Sequence, residues 1–327
     1  MKAWQVHELG EPRDVLRLDE TTMPTVGPGD VLVRVRAAAA NFPDSLLCQG
    51  TYQVKPDLPF TPGLEVCGEV AAVGDQVCTW SVGDRVIGAP TLPHGGFAEY
   101  AVLNGGAALV APEALDDAEA SALLIGYQTG WFALRHRAGL KPGETLLVHA
   151  AAGGVGSAAV QLGKAMGARV IGVAGGADKA NHVRQLGADI VIDRRRENFV
   201  AVVNEATQGM GADVIYDPVG GDTYDRSVKC IAFEGRILLI GFAGGRIQAP
   251  ALNHALIKNY SIVGVHWGLY AVKNPELVRT CHEDLVRLAA QGKIRPFISE
   301  RLPLERVGEG VQRLADGKTV GRLVFLP

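Results

Sequence analysis

The chain has little that would tie it to a disulfide framework, a membrane or a polyanion. Its 327 residues include only five cysteines, at positions 48, 67, 78, 230 and 281. No two have C-x-x-C spacing and the count is odd, which argues against a disulfide scaffold and against a cysteine-based zinc lobe. Isolated cysteines of this kind read as small buried hydrophobes in a reducing compartment. No apolar run reaches the ~18 residues that a membrane span requires, and the opening MKAWQVHELG has no signal-peptide core. The expected location is therefore the cytoplasm. Net charge is −3 and the eight histidines are scattered, so neither nucleic acid nor an acidic membrane surface is an expected partner. The longest basic run, Arg194-Arg195-Arg196, is either a solvated strand end or part of a site.

What is present is an ordinary globular composition, 47% apolar and 20% charged, over a length sufficient for two domains with a large core. Residues 1–120 read as short strands punctuated by Gly and Pro. In GPGDVLVRVRA, Val31, Val33 and Val35 alternate with Leu32, Arg34 and Arg36, the pattern of a half-buried strand. GEVAAVGDQV, VGDRVIGAP and GGFAEYAVL repeat the form, which suggests a partly closed barrel. From Asp116 the period becomes helical as far as Gly139. Strands (ETLLVHA, RVIGVA, ADIVIDR, ADVIYDPV, GRILLIGF) then alternate with helices over 154–166, 178–186, 197–208 and 222–231. That rhythm predicts a doubly wound parallel sheet. A sixth strand, SIVGVHW, is expected at 261–267, then a helix over 275–291 and a last strand, RLVFLP, returning to the first domain. The expected domains are residues 1–122 completed by 268–327, and residues 123–267.

The stretch HAAAGGVGSAAVQ, directly after the strand TLLVHA, carries the first chemical signal. A G-x-G-x-x-G register fits at 151–156, with Ala151 in the first glycine's place. Gly153 permits the tight turn, Gly154 and Val155 open a helix whose N–H groups face a pyrophosphate, and Gly156 allows close packing on the strand. Alanine at 151 is tolerable if its φ stays negative. At the end of the second strand an NAD site usually carries an acid for the ribose hydroxyls. Here Ala174-Gly175-Gly176 leaves room instead, and Lys179 and Arg194 can supply positive charge. These features point to NADPH, although Asp178 and Asp193 lie close by. Lys179 could also be an exposed helix lysine, and Arg194 a solvated charge. His149 is expected to pack in the first strand, and Asp217 to serve either the adenine end or the strand terminus.

Taken together, ANFPDSLLCQGTYQVKPDLPFTPGLEVCGEV, VGDRV, GGFAEYAV, the glycine loop and GRLVFLP resemble the medium-chain dehydrogenases/reductases, in their zinc-independent quinone oxidoreductase (zeta-crystallin-like) branch. The resemblance implies an α/β chain with a GroES-like β-barrel catalytic domain and a Rossmann doubly wound parallel-sheet domain. It also implies an active site in the cleft between them and a homodimer or homotetramer joined through SIVGVHW. In zinc-dependent relatives a cysteine stands where this chain has Asn41, and G-H-E where it has Gly63-Leu64-Glu65. No metal is expected, since amide and leucine cannot replace thiolate and imidazole. The implied substrates are quinones or related α,β-unsaturated carbonyls, reactive enough to take hydride unaided. Enoyl thioesters and 2-alkenals are an alternative class, and a non-catalytic NADPH-binding structural or regulatory protein is another.

Candidate catalytic groups by this resemblance are Tyr52, either a proton donor or a packing aromatic, and Asn41, either an oxyanion donor or a turn amide. By position in the family pattern, Thr129, Val219, Gly241, Phe242, Val265 and Trp267 would touch the cofactor.

Overall fold

The last strand of the chain joins the first hundred residues. In the computed structural model, which describes residues 1–327, Met1–Leu124 and Pro296–Pro327 form one unit and Ile125–Arg295 another.

The first unit is built on the ten-residue strand Asp30–Ala39. One edge pairs antiparallel with Val66–Val73, and the other carries Tyr100–Asn104 and then Arg322–Leu326. The expected alternation appears in part: Val31, Val33 and Val35 are buried and Arg34 is exposed, but Leu32 is buried as well and Arg36 is half-buried. Phe97 and Phe325 meet edge to face at 5.2 Å within this core, a geometry favoured by the ring quadrupoles. This topology decides what lies beside what. The end of Asp30–Ala39, the start of Val66–Val73 and the start of Arg322–Leu326 are neighbours, so Asn41, Glu65 and Arg322 are brought together from distant parts of the sequence.

The second unit contains a six-stranded, wholly parallel sheet: Thr145–Val148, Arg169–Ala174, Ile190–Asp193, Ala212–Asp217, Ile231–Leu239 and Ser261–Gly264. Spatial order is third, second, first, fourth, fifth, sixth, the doubly wound order of dinucleotide-binding sheets. The near-continuous apolar strands suit a sheet covered on both faces. No helix is long and apolar enough to cross a membrane.

Several boundaries differ from expectation. The sixth strand stops at Gly264, and a short helix begins at Trp267; apolar residues continue through Val265, but only Val265 still bonds to the neighbouring strand, donating to the Leu239 carbonyl at 3.1 Å. The helix expected to reach 231 ends at Ser227, and the next strand begins at Ile231. The helical stretch 116–139 breaks into Asp117–Ser121 and Leu124–Trp131, then continues as a π-helix over Phe132–Arg137.

The domain boundary at 268 also moves. The helix Pro275–Ala290 belongs with the second unit, burying Val278, Cys281, Leu285 and Ala289 on one face. Trp131 Nε1 donates to Asp284 Oδ2 at 3.1 Å, and Phe132 stacks on Tyr270 at 4.2 Å. These contacts hold residues 268–295 beside the parallel sheet, and the chain crosses back only at Pro296.

Candidate active site

The glycine loop is shaped by one left-handed residue. Ala150 takes φ +47°, a conformation costing a non-glycine residue about 1–2 kcal/mol. Ala151, in the register position of the missing glycine, is not left-handed, so alanine is unstrained there. Ala151 N–H donates to the Val173 carbonyl at 2.9 Å, pinning the loop to the second strand. Gly153, at φ −86° and ψ 176°, caps the helix Gly154–Ala165. A Cβ on Gly156 would lie 2.2 Å from the Ala150 carbonyl oxygen, so only glycine lets this helix approach the loop. The amides of Gly154, Val155 and Gly156 open the helix without intrahelical acceptors and form the positive end of its dipole.

Three cations gather beyond the second strand. A Cβ on Gly175 would lie 3.1 Å from Arg194 Nε, and one on Gly176, at φ +99°, 3.2 Å from an Arg195 terminal nitrogen. Burial, then the charges of Arg194 and Arg195, hold the Lys179 ammonium below its usual range. Asp193 does not oppose this charge by ion-pairing either arginine: its Oδ1 accepts from the backbone amides of Gly176 and Arg195, at 2.8 and 3.0 Å. Gly175, Lys179 and Arg194 are thus brought together as expected. Arg195 was missed, and its signal was the arginine triplet itself.

At the opposite side of the same sheet, Thr129 is buried in the helix Leu124–Trp131, Val265 is buried, and Trp267 is half-buried. Trp267 Nε1 donates to Gln128 Oε1 at 2.6 Å. Gly241 and Val219 sit half-buried after the fifth and fourth strands, while Phe242 is exposed. Asp217 acts as a cap, its Oδ1 accepting from Val219 and Gly220 amides at 2.8 and 3.0 Å. His149 is buried as expected, but it lies just past the first strand, which ends at Val148, with Nε2 2.9 Å from Ser227 Oγ.

In the first unit, Asn41 is not a free amide. Its Nδ2 donates to Glu65 Oε1 at 2.9 Å and to the Ala39 carbonyl at 3.2 Å, and its Oδ1 accepts from Arg322 at 3.1 Å. Both amide hydrogens are consumed, so Asn41 has none left for a substrate oxygen in this arrangement. Arg322 also pairs with Glu65, and both side chains are buried. A guanidinium thus covers Glu65 Oε1, and no three His, Cys, Asp or Glu side chains gather in a metal-holding arrangement.

Asp44 completes this cluster, its Oδ2 accepting from Asn41 N and its Oδ1 from Gly63 N. Burial, reinforced by the nearby Glu65 charge, pushes its carboxyl up to about 7 against the pull of those two amides. Gly63 is held at φ +105° with the Phe97 amide 2.5 Å from any Cβ, so this donor position requires glycine. Tyr52 is half-buried against the core; burial and then Asp44 raise its phenol, which stays protonated at neutral pH.

The sequence matches two family profiles, "Alcohol dehydrogenase GroES-like domain" over residues 27–113 and "Zinc-binding dehydrogenase" over 154–283. A quinone oxidoreductase-like protein 2 homolog from Nematostella vectensis is 41% identical, over 99% of this chain and 88% of that one. The Escherichia coli quinone oxidoreductase solved with NADPH is 30% identical, with a TM-score of 0.92 and full coverage of both chains. A mycobacterial protein solved with NADPH gives 31%, 0.92 and the same coverage. On these grounds the chain belongs to the quinone oxidoreductase family of medium-chain dehydrogenases/reductases.

Proposed function

We propose that the protein is an NADPH-dependent oxidoreductase that reduces quinones and related conjugated carbonyls without a metal. The single observation that carries the cofactor assignment is the cluster of Lys179, Arg194 and Arg195 around Gly175 and Gly176, in the place of an acidic ribose partner. Neither arginine makes an ion pair within the chain, and a phosphate of about −1.5 to −2 charge would relieve their mutual repulsion. The cradle fits the group: Gly156 admits no side chain, and the helix at Gly154 presents its amides where a pyrophosphate would sit. Both NADPH-bound relatives agree with this reading.

When bound, NADPH supplies a hydride from C4 of its nicotinamide. The protein's own residues then have three tasks. Gly153, Gly154, Val155 and Gly156 hold the pyrophosphate, and Gly175 with the three cations holds the 2′-phosphate. Thr129, Val219, Gly241, Phe242, Val265 and Trp267 flank the nicotinamide half. Tyr52, kept as a phenol, donates a proton to the acceptor; a positioned acid contributes about 10²–10⁴-fold. Asn41 acts as a positioning residue, fixing Glu65 and Arg322 rather than meeting substrate.

Metal independence is supported by the donor set. Amide, leucine and a guanidinium-covered carboxylate are not a zinc site. The second reading, a reductase of 2-alkenals or enoyl thioesters, would ask more of Tyr52, because an enolate must take its proton on carbon, whereas water can protonate the hydroquinone anion that a quinone gives.

Lys179→Ala tests the phosphate site. Losing one charge-assisted contact of about 1.5–3 kcal/mol should raise the NADPH dissociation constant about 10- to 100-fold and leave that of NADH nearly unchanged. Equal effects on both would remove the phosphate reading.

A further inference from the structure

Two loops leave the carboxyl ends of neighbouring strands in the parallel sheet, residues 218–221 after the fourth strand and 240–248 after the fifth. The first is fixed by its own strand, through the Val219 and Gly220 amides that Asp217 accepts. The second leans on the first. Ile240 N donates to the Asp217 carbonyl at 3.0 Å, Ala243 N to that of Pro218 at 3.1 Å and Gly244 N to that of Val219 at 2.9 Å. Beyond Gly244 side chains take over. Gln248 is buried, and its Oε1 accepts from the Gly221 amide at 3.1 Å. Arg246 reaches across the surface to Asp222, at 2.7 Å, and to Asp225. The approach is close: Gly220 and Gly221 take φ +70° and +56°, and a Cβ would lie 2.9 Å from Gln248 Oε1 on the first and 3.2 Å from the Arg246 carbonyl oxygen on the second.

The partners of Arg246 indicate its task. Asp222 and Asp225 stand in the first turn of the helix Asp222–Ser227, whose positive end they already suit. A cation adds nothing that helix needs there, so its effect falls on the loop that bears it. All three side chains are exposed. Exposed ion pairs add little to global stability and weaken as salt rises. Their weight is suited to biasing one surface segment between held and released.

We propose that Arg246 is a positioning residue for the cofactor: paired with Asp222 and Asp225, it clips residues 240–248 onto 218–221 and so holds Gly241 and Phe242 beside the nicotinamide half. The proposal rests on the NADPH reading above. It gives Arg246 no contact with cofactor or substrate.

Titration calorimetry on the full chain compares NADPH with adenosine 2′,5′-bisphosphate, which keeps the phosphorylated ribose and lacks the nicotinamide. Arg246→Met should weaken NADPH about fivefold and leave the bisphosphate within about twofold. Asp222→Asn with Asp225→Asn removes the other half of the clip and should give the same selective loss. Joining all three changes should cost no more than either set alone. If Arg246 instead met the cofactor directly, freeing it from both acids would leave NADPH affinity unchanged or raise it, and that result overturns the proposal. So does unchanged NADPH affinity in Arg246→Met, and so does equal weakening of both probes, the mark of a purely structural role. Wild-type protein that binds neither probe overturns the cofactor reading and this proposal with it. Wild type that binds both, with an Arg246 variant that matches it, overturns this proposal alone.

Discussion

Replacing Arg322 by methionine keeps much of the side-chain volume and deletes the charge. The structure indicates what should follow. Glu65 is 0% exposed and Arg322 5%, so the carboxylate left behind cannot reach water, and Asn41 Nδ2 would have to serve it. Breaking a buried pair from one side costs about 3–5 kcal/mol, because the survivor remains charged or must take up a proton. At about 2–4 °C per kcal/mol for a unit of about 150–250 residues, the melting temperature of the first unit should fall by about 6–20 °C. Differential scanning calorimetry reads this directly and separates the two units if they melt apart. The paired variant, Arg322→Met with Glu65→Gln, removes both charges and should recover more than half of the loss. A melting temperature within about 2 °C of wild type for Arg322→Met, or a double variant no more stable than the single one, would refute the assignment of this pair as the tie between the chain's two ends.

Two further substitutions probe the nucleotide-binding unit. Gly156→Ala places a methyl 2.2 Å from the Ala150 carbonyl and should weaken NADPH binding by at least about tenfold with the fold retained by circular dichroism; affinity within about twofold of wild type would contradict the close-packing argument. His149 is held at about 3, chiefly by burial and then by the Arg226 charge. Its folded value lies below the unfolded ~6.5, so its contribution to stability is complete above pH ~6.5 and is lost, at about 1.4 kcal/mol per unit, as pH falls toward 3. His149→Gln should flatten the acid limb of the urea midpoint between about pH 6.5 and 4.5, and an unchanged slope would show that this histidine does not drive it.

The second unit was legible in the sequence because buried parallel strands and amphipathic helices leave strong periodic signals. Thr145–Val148 is apolar apart from Thr145, and Gly154–Ala165 shows a buried stripe at Ala158, Ala159 and Leu162. The glycine loop was readable for the same reason: its chemistry is local. Features set by tertiary pairing left no such trace. Asn41 and Arg322 are 281 residues apart, and only the antiparallel pairing of Arg322–Leu326 with Ala38 and Ala39 makes them neighbours. Asn41 was accordingly read as a possible oxyanion donor, whereas its amide is spent on Glu65 and Ala39. The end of the sixth strand was misjudged because Val265 and Trp267 continue the apolar run although the chain leaves the sheet at Gly264.

The proposed chemistry requires that reduced nicotinamide be consumed by a conjugated acceptor, with the phosphorylated coenzyme preferred and no ion assisting. Purified protein, dialysed against a chelator, should be assayed for loss of reduced-nicotinamide absorbance with 1,4-benzoquinone and 9,10-phenanthrenequinone, using NADPH and NADH in parallel. Turnover with NADPH that outpaces NADH and is unaffected by the chelator is the predicted result. Turnover that vanishes on chelation and returns with zinc, or no turnover with either coenzyme on any quinone, would contradict it.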